Sequence, residues 1–315
     1  MSRKSVKGII ILILTALILM LSPSVNGVLA HMGRFNMSYI YFGKSSSYSY
    51  YVDRTKGSLN EIAPSYFNID SEGNLEIDPS FNTSFIDEMH ARGVKVVPFL
   101  SNHWNRDAGR KALDKREALA QQIAYMIFEY NLDGVNVDIE NLTEYDRENY
   151  VDFVRILRNK LGYSKTLSVA VAPNPYNFST GWQGSYDYAA LAKYSDYLMI
   201  MAYDESYQGG PAGPVASGAF VERSIKYAIE RVPRNKIVLG IPFYGRLWKN
   251  DGSYGGYGVS NVTIEQMIQK YNGKVTYDKK AQTPKAVITI KPEDDKPTIL
   301  GRKLDAATYI IWFEN

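Results

Sequence analysis

The stretch Leu132-Asp133-Gly134-Val135-Asn136-Val137-Asp138-Ile139-Glu140-Asn141 decides the fold of this 315-residue chain. Val135, Val137 and Ile139 are β-branched and alternate with polar residues, the pattern of a strand. Side chains two apart on a strand share a face, so Asn136, Asp138 and Glu140 point the same way. Three polar groups in register, two of them acidic, are costly to bury unless they bond one another or a ligand. Two carboxylates so placed repel, which pushes one toward its protonated form and makes it a candidate general acid. On a half-exposed antiparallel strand the same face would simply meet water. The helical pattern over residues 144–161, followed by another strand pattern, argues instead for a parallel sheet covered on both faces.

Outward from this stretch, strand-like runs recur at residues 35–42, 62–69, 94–100, 166–173, 197–204 and 236–245. Helical patterns at 84–91, 115–130 and 221–231 fall between them. The alternation is a β/α repeat, and seven such strands fit a (β/α)8 TIM-type barrel better than a doubly wound sheet. No Gly-rich GxGxxG loop follows the first strand, which disfavours a dinucleotide fold. In a barrel the reactive side chains sit at the C-terminal strand ends, where Glu140, Pro173, Tyr203, Asp204 and Tyr244 fall. Asp138 lies one pleat below Glu140. Residues 246–315 differ in texture. A Gly/Tyr-rich loop at 252–258 and a helix at 262–271 precede short strands at 274–277, 286–290 and 308–313. This reads as a small α+β insertion after strand 7. An eighth strand is missing from the pattern unless 308–313 serves as one, and the chain is expected to end before its last helix and strand.

The N-terminus carries Arg3, Lys4 and Lys7, then an apolar run at 9–21 and the small-residue exit Val28-Leu29-Ala30. Those features make residues 1–30 a signal peptide, with the barrel expected at 31–245 and the insertion at 246–315. The apolar run is short for a membrane span, so a secreted protein is expected, with an uncleaved anchor as the alternative. The three basic residues of 1–30 account for the whole net charge of +3, so the rest is formally neutral. No basic stripe of the kind phosphate binding needs is present, and no nucleic-acid partner is expected. There is no cysteine, so disulfides, thiolate metal sites and a thiol nucleophile are excluded. His31, His90 and His103 form no metal pattern, and neither a metal nor another cofactor is expected. Trp104, Trp182 and Trp248 follow strands, where aromatic rings can stack on sugar faces.

Three motifs together carry a family resemblance. Asp133-Gly134-Val135-Asn136-Val137-Asp138-Ile139-Glu140 resembles the Asp-Gly-x-Asp-x-Asp-x-Glu signature of glycoside hydrolase family 18. Met201-Ala202-Tyr203-Asp204 resembles its sixth-strand Met-x-Tyr-Asp pattern, and Gly240-Ile241-Pro242-Phe243-Tyr244-Gly245-Arg246 its seventh strand. Within the family the chain is most similar to the bacterial spore-cortex and cell-wall N-acetylglucosaminidase branch, through Ser101-Asn102-His103-Trp104 and Gly213-Pro214-Val215-Ala216-Ser217.

The resemblance implies a retaining glycosidase acting on β-1,4 bonds next to N-acetylglucosamine, in peptidoglycan or chitin, by substrate-assisted catalysis. It implies that Glu140 is the acid and that Asp138 orients the substrate acetamido group. Tyr203 would hold the acetamido carbonyl, and Asp204 would complete the wall of that subsite. Asn136, Met201, Tyr244, Arg246 and Trp104 are the further substrate-binding candidates. The implied partner is an N-acetylglucosamine polysaccharide bound by a monomer with no stable membrane partner. Two departures stand out. Asn136 replaces an Asp of the fuller signature, and as an amide it can donate to Asp138 without adding charge. The missing eighth strand leaves a second reading, a catalytically impaired or non-catalytic glycan-binding barrel.

Overall fold

The computed structural model describes residues 35–314, which fall into two compact units, 35–63 with 82–96 and 64–81 with 97–314. The expected signal segment 1–30 lies outside the described residues. In the first unit, strands Met37–Ile40, Glu61–Pro64 and Lys95–Val96 form a three-stranded sheet in that order. Its helix Thr83–Ala91 starts at Asn82, whose side chain accepts from the Phe85 N–H as a cap.

The second unit is built on a parallel run of six strands. Their order is Phe67–Ile69, Phe99–Ser101, Gly134–Asp138, Thr166–Val171, Tyr197–Ile200 and Ile237–Leu239. Strand Leu75–Ile77 adds antiparallel to the Phe67–Ile69 edge. Gly134–Asp138 is central, with parallel neighbours on both sides, and Val135, Asn136 and Val137 are all fully buried. That is the doubly covered strand that the helical connections imply, not a half-wetted antiparallel one.

Gly134 is required there by a close approach. A Cβ at this position would stand 1.9 Å from the Thr166 carbonyl oxygen of the paired strand. Backbone cannot yield as a side chain can. Gly134→Ala is therefore expected to destabilise the fold by about 3 kcal/mol or more, read as a lower urea midpoint.

Three runs expected as single strands are broken, each at a proline. Strand Glu61–Pro64 ends on Pro64 before Phe67–Ile69 begins, Pro98 separates Lys95–Val96 from Phe99–Ser101, and Pro242 lies between Ile237–Leu239 and Tyr244–Lys249. Proline has no N–H to continue a ladder, so the chain leaves one sheet and enters another. The helix Arg106–Asp114, which the sequence did not suggest, is capped by Asn105 accepting from the Ala108 N–H.

The remaining strands make an antiparallel five-stranded sheet. Its order is Tyr257–Ser260, Tyr244–Lys249, Ala307–Phe313, Thr283–Ile290 and Lys274–Asp278. Helix Asn261–Lys270 packs on it through Ile264 and Met267, against Leu247, Ile288 and Ile311. Ala307–Phe313 is thus a central antiparallel strand of this sheet and does not serve as an eighth parallel strand. The antiparallel sheet begins at Tyr244, inside the run read as strand 7. Among the described residues no sheet closes on itself, and no helix is long and apolar enough to cross a membrane.

Candidate active site

Beyond Asp138 the chain leaves the central strand through Ile139, Glu140 and Asn141. The N–H and carbonyl of both Ile139 and Glu140 are taken by side chains. The Ile139 N–H donates to the Tyr150 hydroxyl at 3.4 Å, and the Tyr186 hydroxyl donates to the Ile139 carbonyl at 3.1 Å. The Glu140 N–H donates to Asn102 Oδ1 at 2.8 Å, and Asn102 Nδ2 donates back to the Glu140 carbonyl at 2.9 Å. Asn141 turns the chain in a left-handed conformation, φ 58°, which asparagine tolerates. Its carbonyl accepts from Arg106 Nε at 2.6 Å, and its Nδ2 donates to the Trp104 carbonyl at 2.8 Å. These bonds fall on the backbone of Ile139 and Glu140 and on Asn141, and none of them uses the carboxyls of Asp138 and Glu140.

Those carboxyls sit in an unfavourable place for charge. Asp138 Oδ1 is buried and accepts no hydrogen bond among the described residues. Burial pushes the Asp138 carboxyl well above the usual carboxylate range. Glu140 is also pushed up, first by burial and then by the negative charges of Asp138 and Asp204. The sequence pointed to one raised carboxyl; burial raises both. The Asn136 amide donates to Ser168 Oγ on the neighbouring strand at 2.7 Å.

A second cluster forms where strand Tyr197–Ile200 runs into Met201-Ala202-Tyr203-Asp204. The Ala202 N–H bonds the Ile200 carbonyl at 2.8 Å and the Tyr203 N–H bonds the Met201 carbonyl at 2.7 Å, two tight turns in succession. They deliver Asp204 in a left-handed conformation, φ 57°. Its Oδ1 accepts from the Tyr244 hydroxyl at 2.5 Å and Arg246 Nε at 2.8 Å, and its Oδ2 accepts from Arg246 NH2 at 2.6 Å. Arg246 NH1 donates on to the Gly256 carbonyl at 2.6 Å. Both oxygens of Asp204 are therefore engaged, and the residue fixes Tyr244 and Arg246 rather than standing as a free acid. Tyr203 packs edge-on to Tyr244 with ring centroids 6.4 Å apart. Met201 is buried.

The tryptophans divide. Trp104 is 50% exposed and meets Trp182 edge-on at 5.0 Å, while the Trp182 indole N–H donates to the Tyr186 hydroxyl at 3.1 Å. This pair connects an exposed aromatic surface to the backbone that carries Glu140. Trp248 is a correction: it lies within strand Tyr244–Lys249, is buried, and donates to the Gly210 carbonyl, so it offers no ring face to a sugar. His103 bonds Asn68 Oδ1 through Nε2 at 2.9 Å. No group of three or more metal-ligating side chains occurs among the described residues.

Asn102, Tyr150 and Tyr186 had no assigned role in the sequence reading. The position of Asn102 just past a strand end was a signal that could have found it. Tyr150 and Tyr186 had none, because 25 tyrosines give no contrast. Tyr186→Phe would leave the Ile139 carbonyl and the Trp182 N–H without partners. A loss of about 1–3 kcal/mol is expected, read from the denaturation midpoint at unchanged m.

The chain matches the family Glycosyl hydrolases family 18 over residues 38–293. It is 28% identical to the uncharacterized glycosylase YvbX of Bacillus subtilis, over 67% of this chain and 56% of that protein. It is 31% identical to the cortical fragment-lytic enzyme of Bacillus anthracis, over 49% of this chain and 37% of that protein. The chain thus spans about half, or less, of the length of these curated relatives. The solved spore cortex-lytic enzyme SleL of Bacillus cereus aligns with a TM-score of 0.75 at 23% identity, over 89% of this chain and 65% of that one. At that identity the likeness carries the fold alone, an α/β TIM-type barrel. The resemblance to the cortex-lytic branch read from the motifs is borne out in these relatives. With the profile matched across most of its length, the chain belongs to glycosyl hydrolases family 18.

Proposed function

We propose that this protein is a retaining glycoside hydrolase that cleaves β-1,4 bonds next to N-acetylglucosamine, in spore-cortex or cell-wall peptidoglycan or in chitin. The observation that carries this reading is the pair of raised carboxyls, Asp138 and Glu140, at the exit of a buried central strand. An acid that stays protonated near neutrality can protonate a leaving glycosidic oxygen. Glu140 takes that role. The substrate's own N-acetyl carbonyl attacks the anomeric carbon, and the bond to the leaving oxygen breaks as Glu140 gives up its proton. Asp138 orients the acetamido N–H; its unbonded Oδ1 is an acceptor awaiting a donor. Tyr203 aims the acetamido carbonyl. Glu140 then takes a proton from the water that opens the cyclic intermediate. Tyr244 and Arg246, held by Asp204, line the sugar site with Met201 and Asn136, and Trp104 offers an exposed ring to a neighbouring sugar.

The two candidate glycans share the N-acetylglucosamine unit that this chemistry needs, and the names of the relatives favour the cortex. In this reading residues 1–30 direct export, the glycosidase unit occupies 31–245 and residues 246–315 are an α+β addition. The protein then acts outside the cell, at the wall or spore, as a monomer.

One observation favours a second reading. Strand Ile237–Leu239 has a neighbour on one side only among the described residues, and Leu239, Ile241 and Phe243 beside it are exposed. An open parallel edge of this kind is what a missing eighth strand would leave, and it would weaken the site or reduce it to glycan binding. Product release from purified N-acetylglucosamine oligomers and from cortex and vegetative peptidoglycan fragments separates the two. Turnover supports the glycosidase, and the better substrate names its glycan. Binding without turnover by folded protein supports the second reading.

A further inference from the structure

Asn102 makes an unusual fork. Its amide is 1% exposed, and it bonds both backbone groups of one residue, accepting from the Glu140 N–H at 2.8 Å and donating to the Glu140 carbonyl at 2.9 Å. The same Nδ2 also donates to the Asn105 carbonyl at 2.9 Å, which ties the fork to the start of helix Arg106–Asp114. Bonding a residue on both its N–H and its carbonyl fixes where its Cα–Cβ bond points. Glu140 lies outside the ladder of strand Gly134–Asp138, so no sheet hydrogen bond does this for it. A glycine makes room for the fork. A Cβ on Gly109 would lie 2.9 Å from Asn102 Nδ2, 3.1 Å from Leu142 Cδ2 and 3.3 Å from Ile139 Cγ2. The helix backbone therefore passes directly behind the amide and holds it in place.

We propose that Asn102 is the positioning residue for Glu140, with Gly109 as the small residue that seats it. This rests on Glu140 being the acid of the glycosidase reading. The amide is needed as an amide: one oxygen to accept and one nitrogen to donate, in fixed geometry. Asparagine fits; aspartate keeps the shape but, when ionised, loses the donor and sets a negative charge against the Glu140 carbonyl. A misplaced acid slows proton transfer without weakening sugar binding, because the substrate contacts lie on other residues.

The test is kinetic, on N-acetylglucosamine oligomers, with folding of each variant checked by thermal melting. For Asn102→Ala, kcat should fall roughly 10²-fold with KM unchanged within about threefold. For Asn102→Asp, activity should be low at neutral pH and partly recover toward acid pH, where the carboxyl regains a proton to donate; a bystander would show no such pH-dependent rescue. Gly109→Ala, which leaves Asn102 itself intact, should lower kcat in the same manner. A folded Asn102→Ala with wild-type kcat, or an Asn102→Asp pH profile that parallels the wild type, overturns the proposal. Absence of turnover by the wild-type protein is a different result: it overturns the glycosidase reading, and with it the role assigned to Asn102. If Asn102→Ala does not fold, Asn102→Asp and Gly109→Ala decide the matter.

Discussion

Glu140→Gln should lower kcat roughly 10³-fold or more while leaving the affinity for N-acetylglucosamine oligomers within about threefold of wild type. The substitution is unusually clean in this fold. The bonds that seat residue 140 run from its N–H and carbonyl to Asn102, so an amide side chain alters none of them. What is lost is the proton. The same change removes a group whose ionised form is opposed by burial and by the charges of Asp138 and Asp204. The variant should therefore melt no lower than wild type at pH 8. Lost activity with retained binding and retained stability would locate Glu140 in the chemistry; a fall in all three would mean that the residue supports the fold.

The second large effect concerns Asp138. Asp138→Asn should reduce kcat by about 10²- to 10³-fold, because an amide cannot ionise to balance the positive charge that develops on the acetamido group. It should also change how stability depends on pH. The folded-state pKa of Asp138 is raised by burial above its ordinary value of 3.8. The folded protein then holds the proton more tightly than the unfolded chain does, so stability is lost as pH rises from about 4 toward the raised value. Asparagine carries no such penalty. The variant and wild type should melt alike near pH 4, and the variant should melt higher, by about 3 °C or more, at pH 8. Melting curves across that range check the sign. Equal curves at both ends would mean that Asp138 is paired or solvated in solution. The two carboxyls titrate as a pair, so the pH profile of kcat should show its alkaline limb well above the ordinary carboxylate range.

Much of this was legible in the sequence for a physical reason. The run from Val135 to Glu140 announces both its fold and its chemistry, because a buried parallel strand has no water to satisfy an acidic face. The motif Met201-Ala202-Tyr203-Asp204 was equally visible as a cluster, but not the fate of Asp204. Its pairing depends on Arg246, 42 residues away, which no local pattern reveals. The three broken strands were misread because hydrophobic runs continue across Pro64, Pro98 and Pro242 while hydrogen bonding does not. Trp248 was misread because an aromatic after a strand looks the same whether it faces solvent or core. Asn102, Tyr150 and Tyr186 act through a backbone segment brought to them by the fold, so their partners are absent from any local reading.

The most direct measurement of the central claim is the anomeric configuration of the first product, followed by proton NMR during cleavage of N-acetylglucosamine oligomers. Attack by the substrate's own acetamido carbonyl, with Glu140 as acid and then base, gives the β anomer first, before mutarotation. An α anomer formed first would require direct attack by water and would contradict the roles assigned to Asp138 and Glu140.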